Sequence, residues 1–311
     1  MARWFVLILV LLIAGVGLWK YRHRPPNGEM AHPGPLDLCG ANPAFALKYG
    51  MHPPLLIDTR QNDGPGLRLM EARKGGRVLQ LDNWKQFGYL GPYALDKDGV
   101  IYTAPIPFVN LGGHEPGYFN RILRLDPASG QLEDWMTLPS PAPATEDNAY
   151  GVTGLAYDCT THTLYVASVA GSDANHERGR IYHIDLKTKR ILHRLDHFDA
   201  LGLGLYRMRA GKRLYLGHAR SPEVFSIGLK ESGGFRGRKP KFEFSLAAFR
   251  DGSYDNAHRI RFTRDGRMIV KGIEFNFSLM AASDPQRNIY LLRYRAEGDK
   301  WEFVDVQSQQ E

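Results

Sequence analysis

Cysteine is scarce in this sequence: Cys39 and Cys159 are the two in 311 residues. Two thiols cannot build a disulfide framework or a multi-cysteine metal site. Long apolar runs are as rare. A single one is present, which excludes a polytopic membrane protein. No G-x-S-x-G nucleophile elbow, phosphate-binding glycine loop, H-E-x-x-H pair or kinase signature occurs. Acidic residues are missing from the first 24 positions, where Arg3, Lys20, Arg22 and Arg24 stand. The net charge of +7 is therefore partly local: the rest of the chain carries 36 basic and 33 acidic residues. That balance argues against a nucleic-acid partner.

What is present suits a strand-rich, turn-rich protein. Gly 33, Pro 19, Tyr 15 and Phe 15 accompany 43% hydrophobic residues, enough for a packed core. The apolar run is Trp4–Trp19, WFVLILVLLIAGVGLW. As a helix it spans about 24 Å, short for a bilayer core of roughly 30 Å, with tryptophans where interfacial belts place them. A cleaved signal peptide competes, but its cleavage site is poor: bulky Leu18 and Trp19 follow the small residues. The expectation is an uncleaved N-terminal transmembrane anchor, residues 4–19, contacting the membrane. Its flanking charges, counted naively, would keep the rest inside. Large domains translocate largely regardless of them, so an exported, periplasmic or extracellular domain is expected. Residues 1–24 are read as anchor and basic flank, 25–43 as a proline-rich tether, 44–306 as the folded domain and 307–311 as a polar tail.

The folded domain repeats itself. GLRLMEARKGGRVLQL (66–81), NRILRLDPASGQLEDWMTL (120–138) and GRIYHIDLKTKRILHRL (179–195) are alternating hairpins, and looser copies span 223–246 and 287–306. A second hairpin precedes each: 91–104, 153–168, 203–219 and 258–272, with 45–59 as a degenerate first member. Four antiparallel strands in series, repeating about every 55 residues, make the blade of a β-propeller. The reading is an all-β propeller with five visible repeats, six being possible, against a sandwich or barrel of the same strands. Gly91, Gly151, Gly154, Gly202 and Gly204 stand where innermost strands crowd the axis. The segments GRIYHIDLKTKRIL and NRILRLDPASGQL resemble blades of the broad SMP-30/gluconolactonase, NHL and YVTN propeller group, over roughly residues 44–306.

Within a blade of strands A to D, the B–C loops and D–A connections share one face. The long B–C loops are 105–119, 169–178 and 273–287, and the D–A connections 83–88, 139–150, 196–201 and 247–257. Functional residues concentrate on such loops. Asn148, Tyr150, Asp199, Asp255, Asn256 and His258 stand where innermost strands begin and are the candidate ligand-binding residues. Asn148, Asp199 and Asn256, with Asp147 nearby, offer oxygens suited to Ca²⁺, the possible cofactor. Asp and Asn also close turns at such places. The SMP-30 resemblance implies a Glu, Asn and Asp cation set. The chain has no clear counterpart of that family's first-blade Glu, although Glu71 and Glu146 are near in pattern. A second constellation is His114, His176, His197, His218 and His258, without ligand spacing. A third is Arg236, Arg238, Lys239 and Lys241, in a turn of the opposite face, suited to phosphates, anionic lipid or plain solvent.

Two functions stay open. The leading one is a membrane-tethered module binding a small molecule or protein through the long-loop face. The alternative is a Ca²⁺-dependent lactonase-like hydrolase, in which the cation polarises a carbonyl and an Asp is the base. Cys39 and Cys159, placed near non-adjacent blades, argue against a bridge.

Overall fold

The computed structural model describes residues 33–60, 64–107, 118–143, 148–249, 255–277 and 287–309. A two-residue strand, β1 (Gly34–Pro35), precedes five antiparallel sheets arranged in sequence order. Blade 1 holds β2 (Leu55–Asp58), β3 (Arg68–Glu71) and β4 (Val78–Leu79). Blade 2 holds β5 (Leu90–Leu95), β6 (Ile101–Pro105), β7 (Arg121–Leu125) and β8 (Leu132–Thr137). Blade 3 holds β9 (Val152–Asp158), β10 (Thr163–Ser168), β11 (Arg180–Asp185) and β12 (Arg190–Asp196). Blade 4 holds β13 (Ala200–Met208), β14 (Gly211–His218), β15 (Glu223–Gly228) and β16 (Lys241–Ser245). Blade 5 holds β17 (Asn256–Phe262), β18 (Arg267–Ile273), β19 (Arg287–Arg295) and β20 (Lys300–Gln309). This is a five-bladed propeller.

Alternation in each strand supplies two faces, and between blades 2 and 3 and between blades 3 and 4 these faces pack on one another. Ile122 and Trp135 of blade 2 meet Leu155, Leu164 and Tyr182 of blade 3. Ala167 and Ile181 of blade 3 meet Leu205 and Leu214 of blade 4. Each buried Leu or Ile among them contributes about 1.5–3 kcal/mol by leaving water. In blade 3 the two inner strands are buried along their whole length, whereas β12 at the rim is mostly exposed. The glycines near the axis act as expected. A Cβ on Gly154 would lie 2.5 Å from the Leu201 carbonyl oxygen, and one on Gly202 2.8 Å from that of Ala257. The axial cavity left between them holds about 20 Å³, room for roughly one water. Tyr93, Thr153, Leu203, His258, Arg259 and Arg261 line it.

Blade 1 departs from the four-strand plan. Residues 45–48, expected as part of an opening strand, form a helical turn, α1 (Phe45–Lys48). Phe45 is fully buried against Trp84, and its N–H donates to Pro127 O of blade 2. After β4 the chain turns into α2 (Asp82–Lys85) rather than a fourth strand, burying Trp84, whose Nε1–H donates to Gly130 O at 2.8 Å.

The second half of the proline-rich stretch forms a strap across the A–B turns. Gly34 and Pro35 pair with Arg207 and Tyr206 of blade 4. Cys159 N–H of blade 3 donates to Leu36 O, Ala41 N–H donates to Asp96 O of blade 2, and Asn42 Oδ1 accepts from Leu55 N–H of blade 1. The strap thus crosses four blades. It brings Cys39 to Cys159, and the two form a disulfide with Cα atoms 5.9 Å apart. The blade-adjacency argument against that bridge fails because Cys39 belongs to the strap and not to blade 1. The apolar run 4–19, with its expected transmembrane helix, lies outside the described residues. Among the described residues no helix is long and apolar enough to cross a membrane.

Candidate functional site

The loop face is held by side chains that the sequence reading marked. Asn148 Nδ2 donates to Val169 O and Ser172 O at 2.8 and 2.9 Å, and its Oδ1 accepts from Tyr150 N–H. Asp199 Oδ1 accepts from Ser172 Oγ at 2.5 Å and Gly179 N–H at 2.8 Å, while Oδ2 takes the Arg220 guanidinium at 2.6 Å. Asn256 Nδ2 donates to His218 O, Ala219 O and Ser221 O. Asp255 Oδ2 accepts from Asn288 Nδ2 and Tyr290 Oη of its own blade. Asn148, Asp199 and Asn256 therefore form one belt, linked through Ser172 and the 218–221 loop. All three are nearly or wholly buried, and the belt ties blades 3, 4 and 5 together.

As placed, these side chains do not offer a hard-cation set. Burial pushes the Asp199 carboxyl up, against the pull of Ser172 and Arg220. A cation there would have to displace a guanidinium, and the Asn148 oxygen already serves the Tyr150 amide. Among the described residues no group of three His, Cys, Asp or Glu side chains is placed to hold a metal. Glu71 is taken by its own hairpin and by the N–H of His52. Glu146, Asp147 and His114 lie outside the described residues.

Above the belt sits an aromatic floor. Val169, Leu201, Ala219 and Phe277 pack together, with Tyr150 and Phe275 half-buried against them. The Tyr150 and Phe275 rings are 5.0 Å apart, and the Arg220 guanidinium lies over Phe277 at 4.8 Å. Burial pushes the Tyr150 hydroxyl up, keeping it a neutral donor. His258 is not on this floor; it lines the axial cavity below.

A polar line crosses from blade 3 to blade 4 beside the belt. Glu177 Oε1 accepts from Asp199 N–H at 2.8 Å and lies 3.1 Å from His218 Nε2. His218 Nδ1 is 2.7 Å from Ser221 Oγ, which donates to Glu223 Oε2 at 3.1 Å. Burial raises the Glu177 carboxyl, but the hydrogen bonds from His218 and the Asp199 amide outweigh it and hold it below its ordinary range. The order Ser–His–Glu is that of a catalytic triad. Ser221 Oγ lies between His218 Nδ1 and the Glu223 carboxylate, and the line acts as a cross-blade brace. His176 and His197 are exposed: one pairs with Asp173 at 2.9 Å, the other stands at a left-handed turn, φ 59°. Sequence reasoning missed Ser172, Arg220, Phe275 and Phe277. Ser172, Phe275 and Phe277 had one signal, position in the long B–C loops; Arg220 stands in the short β14–β15 loop, which drew no notice.

Known proteins place the fold. No protein-family model and no curated protein sequence matches the chain. Solved structures do. A hypothetical selenium-binding protein from Sulfolobus tokodaii superposes with TM-score 0.50 at 13% identity, over 90% of this chain and 82% of that one. A luciferin-regenerating enzyme superposes with TM-score 0.50 at 12% identity, over 88% and 77%. A calcium-binding regucalcin from Agrobacterium tumefaciens reaches 0.45 at 13% identity, over 78% and 66%. The two superpositions at 0.50 agree with the propeller fold. At such identities the likeness is one of fold and assigns no activity.

Proposed function

We propose that this protein is a membrane-tethered, extracytoplasmic propeller that binds a small molecule or a protein segment on the floor formed by Tyr150, Phe275 and Phe277. The observation that carries the reading is the contrast between floor and belt. The Asx side chains beneath are committed to closing the loops. Tyr150 and Phe275 keep part of their ring surface exposed over buried Phe277, on which the Arg220 guanidinium stacks. Flat aromatic area beside a polar group suits a ligand with an apolar face and hydrogen-bonding substituents.

Export is supported by the Cys39–Cys159 bridge, since disulfides persist in oxidising compartments. The apolar run near the N-terminus supports the tether. The hydrolase reading draws no support from the belt, whose oxygens already have partners.

Site-specific photocrosslinking tests the reading. A photoreactive phenylalanine analogue replaces Phe275 in one variant and exposed Lys187 on the opposite face in another, both in native membranes. Adducts at 275 that vanish on Tyr150→Ala substitution are expected. Adducts at 187 alone would move the site to the turn face.

A further inference from the structure

The turn face of blade 4 concentrates positive charge. Its C–D turn spans residues 229–240, and Arg236, Arg238, Lys239 and neighbouring Lys241 are all exposed. Arg209, in the A–B turn beside it, is exposed too, and so is Lys187 in the C–D turn of blade 3. The two turns of blade 4 touch: the Arg236 guanidinium lies 3.9 Å from where a Gly211 Cβ would be, and Arg207 forks Glu231 at 3.1 and 2.8 Å. Lys241 also meets Glu243 at 3.7 Å. Next to it, Phe242 is 51% exposed.

The strap brings the chain's N-terminal stretch to this same place. Gly34 pairs with Arg207, directly beside the Glu231 and Arg236 turn. Thirteen residues, 20–32, separate the apolar run from Pro33. Fully extended they reach at most about 45 Å. Half the perimeter of a 279-residue domain is roughly 75 Å, from its expected radius of gyration. A tether of that length cannot carry the chain round to the loop face.

We propose that the basic C–D turn of blade 4 docks on anionic lipid headgroups, which turns the aromatic floor away from the bilayer. The inference rests on the membrane-tethered reading above. Exposed Lys and Arg beside an aromatic side chain are the chemistry that anionic headgroups recognise. The bilayer is the polyanion that a chain leaving at Pro33 reaches first.

The test uses the full chain on vesicles of phosphatidylcholine alone, or with about a third phosphatidylglycerol. Amide hydrogen exchange is read across residues 230–241. Exchange slowed at least about fivefold on the anionic vesicles is expected, since each basic residue near such a surface is worth about that factor. The slowing disappears in about 0.5 M salt. It also disappears in the R236Q/R238Q/K239Q/K241Q variant, while the 169–178 loop exchanges alike on both vesicles. Flotation reads the tether separately. A chain that floats with neutral vesicles but shows no lipid-dependent slowing keeps the tether and overturns the docking. One that floats only with anionic vesicles, through those four residues, keeps the docking and overturns the anchor. A chain that floats with neither overturns both.

Discussion

The seam between blades 3 and 4 and the seam between blades 5 and 1 are built differently. The first has a hydrophobic core, the Asp199 latch and a buried ion pair, Lys212 with Asp158, both side chains fully enclosed. Lys212 Nζ also donates to Thr160 Oγ1 and Glu231 O. Below the core, Tyr165, His183 and His193 stack at 4.7 and 5.5 Å under the Gly233–Gly234 turn. At the second seam, no hydrophobic cluster among the described residues joins the two blades. Leu56 and Val78, flanking Met70 across blade 1, are each 55% exposed. Contact is made by arginine. Arg259 Nη2 donates to Thr59 Oγ1, just past β2 of blade 1, at 2.9 Å and reaches beyond it to Gly91 O of blade 2 at 3.2 Å, and Arg261 Nη2 donates to Tyr93 O of blade 2 at 3.3 Å. Equivalent blades thus do not make equivalent interfaces. Where the repeat is complete the seam is apolar; where it is truncated, long polar side chains reach across.

The sharpest way to break this contrast is Lys212→Met. It strands the Asp158 carboxylate in a closed seam and should cost about 3–5 kcal/mol in denaturant unfolding. A loss below about 1 kcal/mol would mean that the ion pair does not hold the seam.

Acid should act on the same seam. Burial, reinforced by the charge of His193, pushes His183 down to about 4. The unfolded chain takes up this proton near pH 6.5 and the folded chain only near 4, so stability falls as pH drops through that window. The total loss is about 3 kcal/mol. Asp37 works in the opposite sense: burial, against the nearby Arg261, raises it to about 6, so it favours the fold as pH drops below 6. Comparing the protein with His183→Gln isolates the histidine. Parallel stability–pH curves would rule out its contribution.

At the other seam the expected effects shrink. Arg259→Gln should cost about 1 kcal/mol, the worth of its net hydrogen bonding. Hydrogen exchange should speed up in β2 and β5 and stay unchanged in blade 3. Leu56→Ala should change stability by less than about 0.5 kcal/mol, as exposed positions do. A cost above about 2 kcal/mol, typical of a core leucine, would show that the seam is packed after all.

Much of the blade was legible from local pattern. Alternation in 120–138 and 179–195 marks strand, turn and strand, and glycines at 154 and 202 mark the crowded axis. Blade 1 was harder to read, because Phe45 looks like a strand residue and Trp84 like part of a connecting loop until the pocket that each fills is known. The candidate site was half legible. Position in the D–A connections pointed to Asn148, Asp199 and Asn256, and the structure brings them together as a belt. Their bonding to loop backbone is invisible in sequence, because an Asp or Asn that closes a turn and one that meets a ligand have the same surroundings in the chain.

Side-chain alternation is a property of neighbouring residues, so the sequence by itself determined that this chain makes serial four-strand blades. The run of apolar residues 4–19 falls outside the repeats in the sequence. Only the tertiary structure decided how the ring closes, because closure depends on residues far apart in the chain. Arg259 meets Thr59 across 200 positions, and Cys39 meets Cys159 across 120. Such pairs leave no period to read: each is specified by where two separate segments come to rest once every blade has packed on the next.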